Sequence, residues 1–96
     1  MSRSEIIEVL KAFKQQKAEE YGIILLGFFG STARDEATAE SDVDVVVKIE
    51  KQDLYNLIGI KQDLEEIFHK PVDVISYRES MNSFLKSRID QEALYV

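Results

Sequence analysis

Ser41-Asp42-Val43-Asp44-Val45-Val46-Val47 constrains the fold most, because two carboxylates alternate with apolar residues at the two-residue period of a half-buried β-strand. Strand geometry sends Asp42 and Asp44 to one face, their Cα atoms roughly 6.5–7 Å apart, and turns Val43, Val45 and Val47 toward the core. Two carboxylates aimed at one spot repel each other, and at neutral pH a shared proton, a cationic side chain or a divalent cation is the usual remedy. Oxygen-only ligands favour Mg²⁺ over zinc.

Upstream, the apolar run Ile23-Ile24-Leu25-Leu26-Gly27-Phe28-Phe29 reads as a buried strand that stops at Gly30-Ser31, where a short helix can begin over Thr32 to Ala37. Free backbone N–H groups at a helix start favour anions, and Gly30 lets a phosphate approach the chain closely. A phosphate-sized turn just ahead of paired carboxylates points to nucleotide chemistry on a metal ion. Taken alone, Ser41-Asp42 is equally a turn or strand-entry pair whose side chains cap the local backbone. Ser31 can serve simply as a helix cap, Arg34 as a partner for Asp35, Glu36 or Glu40, and Asp73, between Val72 and Val74, as a solvated residue on the face away from those valines.

The rest of the chain reads as α/β units around that strand. Ser4 can cap a first helix from about Glu5 to Tyr21, with Ile6, Leu10 and Phe13 on its apolar stripe, joined by Ile7 and Val9, and Gly22 ending it. Asp53 opens a second helix to about His69, with apolar residues at Leu54, Leu57, Ile58, Leu64, Ile67 and Phe68. Pro71 stops it, the strand Val72 to Ser76 follows, and a last helix is expected from about Ser80 to Leu94. The crossover between the Asp42 and Asp73 strands has the length of a right-handed βαβ unit, which makes them parallel and puts their acidic ends at one edge of the sheet. For Gly30 to reach that edge, the first strand must run antiparallel to the other two. The expectation is a small mixed three-stranded sheet covered by helices, with residues 1–96 forming one domain.

The order strand, Gly30-Ser31, short helix, loop, Ser41-Asp42-Val43-Asp44, strand resembles the signature of the nucleotidyltransferase superfamily that includes DNA polymerase beta. More narrowly, the chain is similar to the minimal nucleotidyltransferases, the MntA-type antitoxins paired with HEPN-domain toxins. The resemblance covers nearly the whole chain, since Val72-Asp73-Val74-Ile75 supplies a third acidic strand and Ile89-Asp90-Gln91-Glu92-Ala93-Leu94-Tyr95-Val96 is also family-like. Asp35 stands where glycine is frequent in the family. The resemblance implies that Asp42 and Asp44 hold two Mg²⁺ ions that also bind ATP or another NTP, and that Asp73 completes the site and helps deprotonate an attacking hydroxyl. It implies that Gly30 and Ser31 touch the β- and γ-phosphates, with Arg34 as a nearby cation and Ser41 beside them, shaping the turn into the strand. It further implies an acceptor tyrosine on a HEPN toxin, which AMP transfer silences within a hetero-oligomer.

Size and charge bear on the acceptor. A chain of 96 residues has one core and no second module to grip a large acceptor, so such an acceptor must bring its own binding surface. The net charge of −6 repels a phosphate backbone, and although Lys11, Lys14 and Lys17 follow helical spacing, Glu8, Glu19 and Glu20 interrupt any basic field; direct nucleic-acid binding is not expected. The apolar run ending at Phe29 is too short to span a bilayer, and Met1-Ser2-Arg3-Ser4-Glu5 lacks the apolar core of a signal peptide, so the expected location is the cytoplasm. The absence of cysteine excludes disulfides and thiolate zinc sites, and the single histidine, His69, makes no zinc site. Tyr21, Phe28, Phe29, Phe68, Tyr77 and Phe84 are expected in core and rim. Two other functions compete: nucleotide transfer to a small polycation such as an aminoglycoside, whose enzymes usually carry a further helical domain, and a non-catalytic antitoxin that inhibits by binding alone.

Overall fold

The computed structural model describes residues 2–38 and 40–96. Met1, at the head of the segment read as lacking a signal peptide, and Ala39 lie outside the described residues. The elements run α1 (Arg3–Tyr21), β1 (Ile23–Phe29), β2 (Val43–Ile49), α2 (Leu54–Phe68), β3 (Val72–Ser76), α3 (Ser83–Glu92) and β4 (Leu94–Tyr95).

The sheet order is β3-β2-β1-β4, with β1 antiparallel to β2 and β2 parallel to β3, as the acidic-edge argument requires. The expected three strands become four. The segment read as the end of the last helix leaves it at Ala93, and Leu94–Tyr95 pairs antiparallel with Gly27 and Phe28. Gly27 makes this possible: a Cβ there would stand 2.6 Å from the Leu94 carbonyl oxygen.

Alternation sorts the strands into two faces. Leu26, Phe28, Val43, Val45, Val47 and Val72 pack against α1 and α2, where Ile6, Leu10 and Phe13 meet Ile60, Leu64 and Phe68. On the opposite face Phe29 and Val46 pack with Ile89 of α3, supported by Ile75, Tyr77 and Leu85. The acidic residues lie on this second, less fully covered face. β1 is not buried throughout as expected: a register irregularity between Ile23 and Leu25 leaves Ile24 and Leu25 exposed.

Local chemistry sets the helix ends. The cap of α1 is Ser2 rather than Ser4, because Ser2 and Glu5 satisfy each other's backbone N–H groups in a reciprocal capping box; Ser4 has Ile7 at that spacing and no such partner. Gly22 closes α1 in the left-handed region at φ 68°. Asp53 caps α2 through the Tyr55 N–H, and His69 closes it at φ 56°. Tyr21 ties the two helices together: its hydroxyl donates to Asp63 at 2.6 Å, and its ring lies so close to Gly59 that a Cβ there would meet it at 2.9 Å. The core phase of α2 differs from the expectation. Ile60 is fully buried, whereas Leu54, Ile58 and Ile67 face solvent. Among the described residues no helix is long and apolar enough to cross a membrane.

Candidate active site

The sheet register assembles the acidic site. Asp44 pairs with Asp73 across the parallel β2–β3 ladder, one step beyond Val43 with Val72, and with Phe29 across the antiparallel β1–β2 ladder. Because Val43, Val72 and Val74 belong to the core beneath α1 and α2, Asp44 and Asp73 project together from the opposite face. Asp42 lies two residues ahead of Asp44, at the entrance to β2, and is exposed. Asp44 and Asp73 thus pair where β2 and β3 begin and β1 ends, and Asp42 acts on Asp44 from the entrance to β2.

Gly30 completes the corner. It has φ 76°, and a Cβ built on it would lie 2.4 Å from Asp44 Oδ2, so the Asp44 carboxylate is seated against the glycine backbone. The expected short helix after it proves to be a single turn. The Arg34 N–H donates to the Gly30 carbonyl at 3.1 Å, after which Glu36 N–H donates to Ser31 O at 2.9 Å and Asp35 N–H to Thr32 O at 3.3 Å. This pair of bonds is a Schellman closure, and Asp35 at φ 59° holds its left-handed position. A glycine would suit this left-handed position without strain, and Asp tolerates it better than most side chains. A single closed turn gives no extended helix dipole, so an anion placed here would meet the backbone of the Gly30-Ser31 bend itself. Buried Thr32 donates to Phe29 O at 3.4 Å, and Arg3 of α1 donates to Ala33 O at 3.3 Å, fixing the turn against the fold.

Electrostatics single out Asp44. Burial, then the neighbouring Asp73 carboxylate, pushes its pKa above the ordinary carboxylate value, while Arg88 works in the opposite direction. Among the described residues no three His, Cys, Asp or Glu side chains are grouped so that they could hold a metal ion together. The donor set nonetheless fits Mg²⁺, which binds through one or two carboxylates and leaves its other positions to water and substrate phosphates. A half-buried carboxylate destabilised by its neighbour is the kind of ligand a divalent cation relieves.

The remaining candidates divide. Ser31 sits half-buried in the bend. Ser41 shapes the turn into β2: its hydroxyl accepts from the Thr38 N–H at 3.0 Å, and Lys70 Nζ donates to its carbonyl at 3.1 Å. Arg34 is bound by Glu36 at 3.2 Å, one of the three partners the sequence suggested, and by Glu92, which it did not suggest. Phe28, Phe29 and Phe68 are core and Tyr21 and Tyr77 are half-buried, but Phe84 is exposed rather than part of the rim.

Sequence reasoning missed two groups. Arg88 lies 5.8 Å from the centre of the Phe29 ring, bonds Glu92 at 3.1 Å and acts on Asp44. Its i,i+4 spacing to Glu92 was the available signal. Glu65 accepts the Val72 N–H at 3.0 Å and Lys61 Nζ at 3.2 Å, and Lys61 also donates to Val72 O at 2.6 Å. Together they anchor the start of β3, one residue before Asp73.

The family model for "Polymerase beta, Nucleotidyltransferase" matches residues 5–95. Protein adenylyltransferase MntA of Thermococcus cleftensis is 32% identical over 97 aligned positions, covering 100% of this chain and 97% of the relative. The solved "Structure of putative minimal nucleotidyltransferase" superposes with a TM-score of 0.80 at 26% identity, covering 98% of this chain and 95% of that one. A structure of a tri-AMPylated Shewanella oneidensis HEPN toxin in complex with its MNT antitoxin matches with a TM-score of 0.61 over 97% of this chain and 66% of that one; at 19% identity this likeness speaks for the fold alone. With the acidic corner and its glycine bend in place, the chain belongs to the polymerase beta-type nucleotidyltransferase family, as one of its minimal, MntA-like members.

Proposed function

We propose that this protein transfers AMP, or another NMP, from a nucleoside triphosphate to a hydroxyl of a partner protein, a tyrosine of a HEPN toxin, which the modification neutralises in the cytoplasm. The observation that carries the proposal is the in-register pairing of Asp44 with Asp73 beside Gly30. The acceptor class rests on the protein adenylyltransferase name of the Thermococcus relative.

In this reading Asp42, Asp44 and Asp73 hold the Mg²⁺ ions, which when bound neutralise the triphosphate and stabilise the departing pyrophosphate. The backbone N–H groups and hydroxyl of Gly30-Ser31 receive the β- and γ-phosphates, Arg34 supplies a cation nearby, and Ser41 sets the angle at which Asp42 enters β2. The acceptor oxygen bonds to the α-phosphorus as the bond from that phosphorus to the oxygen bridging to the β-phosphate breaks, and Asp73 takes the hydroxyl proton. Pyrophosphate leaves. The protein's small core leaves acceptor recognition to the partner's own surface.

Labelling tests the reaction type. With Mg²⁺ and the cognate HEPN partner, label from α-³²P ATP is expected to enter a partner tyrosine and label from γ-³²P ATP to remain in pyrophosphate. Transfer of the γ-label to the partner would make the protein a kinase and overturn the proposal.

A further inference from the structure

We infer that Glu92 is a stand-in for the nucleotide's phosphates: it holds the guanidinium groups of Arg34 and Arg88 at the mouth of the acidic corner and yields them to an incoming triphosphate. The inference rests on the nucleotide-transfer reading and adds Arg88 and Glu92 to its site.

The positions are specific. Arg34 ends the turn that starts at Gly30, and the Arg88 guanidinium lies over the ring of Phe29, the residue before Gly30, so both residues are anchored next to the Gly30-Ser31 bend. Between them stands Glu92, bonded to Arg34 Nη1 through one oxygen and to Arg88 Nε through the other at 3.1 Å. Its own pKa is held below the ordinary value, chiefly by the Arg88 hydrogen bond and further by Arg34. Phosphate oxygens offer a guanidinium the same forked geometry as a carboxylate, with more charge.

The charge balance supplies the reason for such a device. A triphosphate approaching Asp42, Asp44 and Asp73 meets like charge, and cations beyond those bound by the carboxylates lower that barrier. Arg88 already acts on Asp44. Glu92 competes with a triphosphate for both arginines yet leaves them accessible: the Arg34 and Arg88 side chains retain 43% and 44% of their exposure, against 20% for Glu92. The β4 strand, paired to β1 immediately after Ala93, fixes Glu92 in place.

Isothermal titration of the protein with ATP and Mg²⁺ tests this, with circular dichroism to verify folding. Arg34→Gln and Arg88→Gln should each weaken ATP about tenfold, Arg88→Lys should restore part of the loss, and Glu92→Gln should tighten ATP about threefold by freeing both guanidinium groups. A merely structural Glu92 would leave affinity equal or lower on that change. In the unaltered protein, the Nε–H NMR signals of Arg34 and Arg88 should shift as ATP is added, a readout independent of variant folding. Wild-type binding with unmoved arginine signals, or with Glu92→Gln neutral or weakened, overturns this inference alone; absence of ATP binding by the unaltered protein overturns the nucleotide reading with it.

Discussion

Gly30→Ala separates backbone strain from damage to the site. Two terms arise at Gly30: the left-handed φ of 76°, and a new Cβ 2.4 Å from Asp44 Oδ2. Left-handed backbone costs a residue with a Cβ about 1–2 kcal/mol, or a fall in Tm of about 4–16 °C for a domain of this size. Restoring an ordinary contact of 3.4 Å or more requires the Asp44 oxygen to retreat by about 1 Å. A displacement of about 1 Å in a reacting site can cost roughly 100-fold in rate. Gly22→Ala is the control, since Gly22 has φ 68° but its Cβ would meet nothing nearer than 3.6 Å, on Glu50. Both variants should lose similar stability by thermal unfolding, and only Gly30→Ala should lose transfer activity in a steady-state assay. Equal activity for the two would refute the idea that the Asp44 carboxylate is positioned against this glycine.

Other outcomes follow from the same geometry. Asp35→Gly, which relieves the left-handed φ of 59°, should stabilise the protein by about 0.5–1 kcal/mol in chemical denaturation. Gly27→Ala should destabilise by about 1–3 kcal/mol and increase hydrogen exchange at Tyr95 and Val96, because the new methyl would meet the Leu94 carbonyl at 2.6 Å. In EDTA, Asp44→Asn should raise Tm at neutral pH. Asp44 has a folded pKa above its unfolded value, so its stabilising contribution is complete only below the ordinary carboxylate range and is lost as pH rises; Mg²⁺ with ATP should then raise Tm for the wild type and not for this variant. Glu65 is the converse case. Its pKa is lowered by the Val72 N–H and by Lys61, so Glu65→Gln should lower Tm above the ordinary carboxylate range, with the deficit vanishing as pH falls through the depressed pKa.

The acidic corner was legible because it depends on local periodicity. Alternation alone puts Asp44 and Asp73 opposite the valines, and the length of the α2 crossover makes their strands parallel. Elements whose identity depends on distant partners were not legible. Nothing local distinguishes Leu94–Tyr95 from a helix end; its strand conformation depends on Gly27, far earlier in the chain, leaving room for it. The buried phase of α2 was ambiguous because Ile58 and Ile67 are as apolar as Ile60, and only docking on the sheet decides which of them is covered. Arg88 and Glu92 announce themselves as a helical pair, but their third member, Arg34, is 58 positions from Glu92. Asp35 looked like a departure from a glycine position; the Schellman closure explains why the residue there must accept a left-handed backbone.

If the carboxylates gathered beside Gly30 serve transfer of a nucleotide to a partner protein, that partner must gain mass. Intact-mass measurement of the HEPN partner, co-expressed with the wild-type chain or with Asp42→Asn/Asp44→Asn and then incubated with ATP and Mg²⁺, tests it most directly. One or more added AMP masses are expected with the wild type and none with the double variant. A partner that is neutralised yet carries no added mass with either chain would contradict it and assign the protein to inhibition by binding alone.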